Sequence, residues 1–149
     1  MTISKVEPVG LIGGEALEAW DAKWESLPGG FSVAHRQLKG MAGLYRAVAH
    51  GEVVVIGKGS GGQANRLYKR LADLRRPGDS GRNYPAGRFI HKNIAWLELQ
   101  VLVLGGDREA CKTADSLLRP MLILHRPREN VPLAIVDEAV QQSYRGLKI

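Results

Sequence analysis

The chain has 149 residues, 44% hydrophobic and 24% charged, which supplies one self-sufficient core and excludes a disordered polyelectrolyte. With 21 Lys and Arg against 15 Asp and Glu, the net charge is +6. Such a surplus suits an anionic partner, nucleic acid or an anionic membrane surface, although a basic balance also serves solubility alone. The lone Cys111 excludes an internal disulfide and a paired-cysteine zinc site, and reads as a small buried apolar residue. There is no basic stretch followed by an apolar one at the N-terminus, and no apolar run approaches the roughly 20 residues of a membrane span. The expectation is a cytoplasmic protein without membrane contact.

In chain order, residues 1–39 read as a helical extension. Ala16, Leu17, Trp20 and Trp24 have helical spacing, and Leu27-Pro28-Gly29-Gly30 ends that element. Residues 40–57 read as a hairpin: Leu44, Tyr45, Val48 and Ala49 form one strand, His50-Gly51-Glu52 the turn, and Val53–Ile56 a β-branched strand buried on both faces. Gly57 to Gly62 are too glycine-rich for regular structure and read as a loop. Asn65 is a good N-cap for a helix whose Leu67, Leu71 and Leu74 share a face, stopped by Pro77-Gly78-Asp79. Residues 78–88 form a polar loop. A third strand runs from Trp96, expected in the core, to Leu104. Asp107 caps a helix from Arg108 to Leu118, and Pro120 either kinks it or opens a second short helix. A final helix falls within residues 132–149. The whole is one domain of α/β (α+β) class, a small three-stranded sheet flanked by helices.

Gly43-Leu44-Tyr45, then the hairpin, then Val55-Ile56-Gly57 resemble the two half-motifs of the GIY-YIG nuclease superfamily. Gly57-Lys58 followed by Leu67-Tyr68-Lys69-Arg70-Leu71 is similar to the corresponding stretch of that family's restriction-endonuclease branch, and Met121-Leu122 with Pro127-Arg128-Glu129-Asn130 is similar to its closing segment. The resemblance covers residues 40–131. It implies a nuclease-like scaffold acting on DNA. Tyr45 would be a general base that orients water, Arg70 (or Arg66, one turn earlier) a phosphate-pairing arginine, and Asn130 a structural fastener. Lys58 is a further candidate at phosphate. It does not belong to a nucleotide-binding P-loop, whose pattern is absent.

The sequence departs from the family at two positions. Val55 stands where the family has its second tyrosine. Leu118 stands where an ungapped count places the metal-binding glutamate, and leucine cannot hold Mg²⁺. Asp115 lies one turn earlier, on the order of 4.5 Å along the helix axis, and Glu109 farther back. Either acid is an alternative ligand, and a degenerate site is the favoured expectation.

Around these residues Arg66, Lys69, Arg75 and Arg76 on the helix, with Arg82, Tyr84 and Arg88 in the loop, suit contacts to phosphate and stacking on bases. The helix cations favour a phosphate-facing role, while the loop residues are equally at home on a solvated surface. His91 and His125 are too scattered for a zinc site, and His125 reads as structural. Three functions follow. The first is a DNA-binding protein with weak or absent cleavage. The second is an active Mg²⁺-dependent endonuclease. The third is a non-catalytic interaction module that meets a protein partner through Trp20, Trp24 and Phe31.

Overall fold

The computed structural model describes residues 10–61, 66–76 and 85–130. Its elements are β1 (Leu11–Ile12), β2 (Glu15–Ala16), α1 (Leu17–Asp21), β3 (Glu25–Ser26), β4 (Ala42–Ala49), β5 (Glu52–Gly59), α2 (Arg66–Arg75), α3 (Pro85–Lys92), β6 (Glu98–Gly105) and α4 (Arg108–His125), with single 3-10 turns at Gly30–Ser32 and Arg36–Leu38. The fold is mixed α+β. β1 and β2 form a small antiparallel ribbon, and the main antiparallel sheet has the order β3-β6-β4-β5.

β4 lies at the centre and is almost wholly buried along both faces. A strand covered by helices on both sides loses the apolar–polar alternation of a half-exposed one. On one face α2 and α3 bring Leu67, Leu71, Leu74 and Ile90 against Tyr45, Ala47, Val55, Leu99 and Val101. On the other, α4 and α1 bring Ala114, Leu117, Met121 and Trp20 against Leu44, Ile56 and Leu102. The spacing of Ala110, Ala114, Leu117 and Met121 is the i, i+4, i+7 stripe of an amphipathic helix, and all four are buried.

The β4–β5 turn uses two residues, His50 at φ 50° and Gly51 at φ 81°. Two consecutive left-handed residues match the twist of a tight hairpin, and glycine takes the second without a Cβ penalty. One residue is then gained on β5: Val48 pairs with Val53, but Ala47 pairs with Val55. At this bulge Val54 and Val55 both enter the α2–α3 core, and Ile56 returns to the α4 side.

Several expectations are corrected. The sheet has four strands rather than three, because Glu25–Ser26 pairs with Gln100–Val101 at the edge of β6. Between residues 11 and 39 the chain is only partly helical; α1 is five residues long, set among short strands and 3-10 turns. β5 continues through Gly57-Lys58-Gly59, where a loop was expected. Arg88 sits on α3, not in a loop. β6 starts at Glu98, and Trp96, expected in the core, is 50% exposed. α4 runs unbroken through Pro120, whose missing N–H would face Ser116, an exposed residue whose carbonyl water can satisfy. Cys111 is half-buried rather than buried. Asn65, Arg82, Tyr84 and the final helix expected within 132–149 lie outside the described residues.

Candidate functional site

The tyrosine of the first half-motif packs face-inward. Tyr45 is 7% exposed, and its ring meets Phe31 edge-on at 6.4 Å between centroids and an interplanar angle of 84°. The bulge sets its partner across the hairpin as Gly57. The phenol lies over that glycine so closely that a Cβ there would collide with Cζ and the hydroxyl. A glycine at 57 is therefore a requirement of the tyrosine's position. Burial pushes the Tyr45 phenol above its ordinary value, and the positive charge of Arg70 opposes that rise. At neutral pH the group is an uncharged phenol, suited to donating or accepting a hydrogen bond but a poor proton acceptor.

Arg70, from the middle of α2, is half-buried on the same side of the sheet, and its side chain makes no hydrogen bond or ion pair with the described residues. The charge of Arg70 is thus close enough to act on the Tyr45 phenol.

Lys58 and Asp115 form a second group. Lys58 pairs across the hairpin with Leu44, so its side chain lies on the α4 side. There the Lys58 ammonium donates to Asp115 Oδ1 at 2.7 Å, and the Ser60 hydroxyl donates to the same oxygen at 2.6 Å. Burial raises the Asp115 carboxyl, but the bonds from Lys58 and Ser60 and the charge of Lys58 outweigh it and hold it below the usual carboxylate range. Ser60 went unnoticed in the sequence because the Gly-rich stretch reads as a loop. As the continuation of a strand, its spacing of two from Lys58 puts both on one side.

The candidate catalytic residues therefore divide across β5, Tyr45 with Arg70 on one side and Lys58, Ser60 and Asp115 on the other. The described residues do not fit a divalent cation. Asp115 is a lone carboxylate already bound by an ammonium and a hydroxyl, and Leu118 packs against the α4 core. Glu109 is on the first turn of α4 beside Lys112 and lines a cleft against β1. Among the described residues no three His, Cys, Asp or Glu side chains gather as a metal would require.

The candidate nucleic-acid residues other than Arg82, which lies outside the described residues, sit on α2, just after it, and on α3. Arg66, Lys69, Arg70, Arg75, Arg76, Arg88 and Lys92 face a single acid, Asp73, so the described residues of this layer carry a surplus equal to the net +6 of the chain. Arg66 is the most committed to structure: Nη1 donates to the carbonyls of Gly106 at 2.9 Å and Gly40 at 3.4 Å, fastening the start of α2 to the ends of β4 and β6. Lys69 pairs with Asp73 at 2.9 Å, and Arg75 donates to the Val33 carbonyl at 3.3 Å. Arg76 is exposed, and its side chain makes no polar bond with the described residues.

Asn130 accepts from the Ile56 N–H at 2.9 Å and donates to the Ile56 carbonyl at 3.1 Å, while the Glu129 N–H donates to the Val54 carbonyl at 2.9 Å. The side-chain amide thus imitates a neighbouring strand and covers part of the outer edge of β5.

The apolar contact surface expected around residues 20–31 is not there. Phe31 is 1% and Trp20 9% exposed, and Trp24 lies half-buried under the Arg46 guanidinium at 4.3 Å. Arg46 belongs to a network the sequence did not reveal. Its Nε donates to Gln100 Oε1 at 2.7 Å, and Asp21 Oδ1 receives Trp24 Nε1 at 2.9 Å and lies 2.8 Å from His125 Nε2. His125 thereby ties the end of α4 to α1.

No family model matches the chain, and no match is found among curated proteins or solved structures. No helix among the described residues is long and apolar enough to cross a membrane.

Proposed function

We propose that this protein binds DNA through the α2–α3 face of a scaffold resembling that of the GIY-YIG nucleases, with weak or absent phosphodiester cleavage. The observation that carries the reading is the concentration of the whole cationic surplus on one layer. A basic surface of this kind gathers phosphates and releases their counterions, which makes binding steeply dependent on salt. Arg70 and Arg76 suit direct phosphate contacts, because neither is spent on a partner among the described residues.

Weak cleavage follows from the chemistry present. Hydrolysis of a phosphodiester asks for an activated water and for positive charge at the developing oxyanion. Tyr45 is held as a neutral phenol, so it can orient a water but withdraws its proton poorly. Arg70 can supply charge on the same side. The cation of Lys58 is paired with Asp115 across the strand, and the carboxylates among the described residues do not assemble a Mg²⁺ site.

Supercoiled plasmid incubated with the protein, with Mg²⁺ or Mn²⁺ and with chelator, separates the readings on one gel. A salt-sensitive mobility shift without nicking is the expected result. Metal-dependent nicking that disappears in both Tyr45→Phe and Arg70→Ala would make the chain an active endonuclease. Neither shift nor nicking would remove DNA from the account.

A further inference from the structure

At the end of the sheet, where α3 hands over to β6, two rings stack in the open. The Trp96 and His50 rings lie 5.3 Å apart between centroids at an interplanar angle of 27°. Trp96 is 50% exposed, so one of the largest apolar side chains in the protein stands in water instead of in the core.

Both rings are held in place. Trp96 Nε1 donates to Asn93 Oδ1 at 3.2 Å, and Asn93 Nδ2 donates to the Phe89 carbonyl at 2.9 Å, which ties the indole to α3. The backbone of the turn after α3 closes on itself through bonds from Trp96 and Leu97 N–H to the Asn93 carbonyl. His50 is fixed by the two-residue hairpin turn. An exposed aromatic pair tied down this way is already ordered for a flat ligand, so stacking costs little further entropy.

The surroundings choose the ligand. Lys92 is exposed on the last turn of α3, four residues before Trp96 in the chain. Of the nearby acids, Glu98, two residues after Trp96, accepts from Ser26 and Gln100, and Glu52 on the hairpin lies 3.5 Å from Arg128. A flat π-surface on the turn that follows a cationic helix matches a nucleobase whose phosphates lie along the cations, the arrangement by which single strands are held without reading their sequence. Bases stacked within a duplex cannot offer a face to such a platform.

We propose that Trp96, backed by His50, is a stacking platform for an unpaired nucleobase, so that the protein prefers DNA with single-stranded character over a closed duplex. The inference rests on the DNA-binding reading above and adds to it a ligand form and a second set of residues.

The test compares a labelled oligothymidylate with a duplex of equal length, by fluorescence anisotropy at low salt, in the full chain. Wild type is expected to bind the single strand more tightly. Trp96→Ala should weaken single-strand binding about tenfold, the size of one base stack, while duplex affinity changes little. Trp96→Phe should retain most of it. His50→Asn, a residue that tolerates the left-handed turn, should weaken it less than Trp96→Ala does. Equal single-strand affinity for Trp96→Ala and wild type, or an equal weakening on both DNA forms, would overturn the platform while leaving duplex binding through α2 and α3 standing. Absence of binding to either form by wild type would overturn both readings together.

Discussion

The layer of α2 and α3 and the layer of α4 bury similar material against the same sheet. Leu67, Leu71, Leu74 and Ile90 fill one side, and Ala114, Leu117 and Met121 the other. Their outer surfaces are not similar. The described α2–α3 layer bears seven Lys and Arg to one Asp, whereas α4 carries Arg108, Lys112 and Arg119 against Glu109 and Asp115. Packing is equally satisfied on both sides, so it does not require the excess cations on one. Lys58 sharpens the contrast: on the α4 side a cation is matched at once by Asp115, while across β5 Arg70 stands without a bonded acid among the described residues. A charge excess that the fold does not need is best explained by something outside the fold.

Breaking the similarity of the cores should have the largest effect. Leu71→Ala and Leu117→Ala each empty a buried leucine site, and each should cost about 2–5 kcal/mol in urea unfolding, with the two values alike. A much smaller cost on the α2 side would mean that this layer is not packed as tightly as α4. Next comes the charge contrast. Reversing Arg75 and Arg76 to Glu should weaken duplex binding by about a hundredfold near physiological salt with little change in unfolding midpoint, read by anisotropy and by urea titration.

Asn130→Ala removes both bonds to Ile56 and should destabilise by about 1–3 kcal/mol, while Asn130→Asp keeps an acceptor and forfeits the donor. A smaller effect belongs to Asp115. Its folded carboxyl lies below the usual range, so its contribution to stability is complete above the unfolded value of about 3.9 and is lost as pH falls through the lower folded value. With both side chains solvent-exposed and screened, Asp115→Asn should cost about 0.5 kcal/mol at neutral pH, a difference that closes in acid.

The parts of the fold governed by local pattern were legible. Val53–Ile56 before a glycine-rich segment, the His50-Gly51 turn, and the Leu67, Leu71, Leu74 stripe each carry their own signal, and each lies where expected. β3 was not legible, since two residues form a strand only because β6 offers them a backbone edge. The proline that opens α3 at Pro85 is a start signal hidden by its polar surroundings.

The candidate site was legible in its residues and not in its sides. The one-residue bulge between Ala47 and Val48 decides that Tyr45 faces Gly57 and that Lys58 turns toward α4. Counting along the sequence without that bulge sets Tyr45 opposite Ile56 and shifts every pairing beyond it. Trp96 was missed for a related reason. It precedes the strand instead of belonging to it, so apolar character alone assigned it to a core that begins at Leu97.

The most direct test of the central claim is the salt dependence of duplex binding, measured as log affinity against log salt for wild type and two charge-reversed variants, Arg75→Glu with Arg76→Glu on α2, and Arg108→Glu with Lys112→Glu on α4. The steep negative slope expected of wild type should become shallower by about one unit for each phosphate that the α2 variant no longer neutralises, and stay near wild type in the α4 variant. Equal slopes for the two variants would contradict the assignment of DNA to the α2–α3 face.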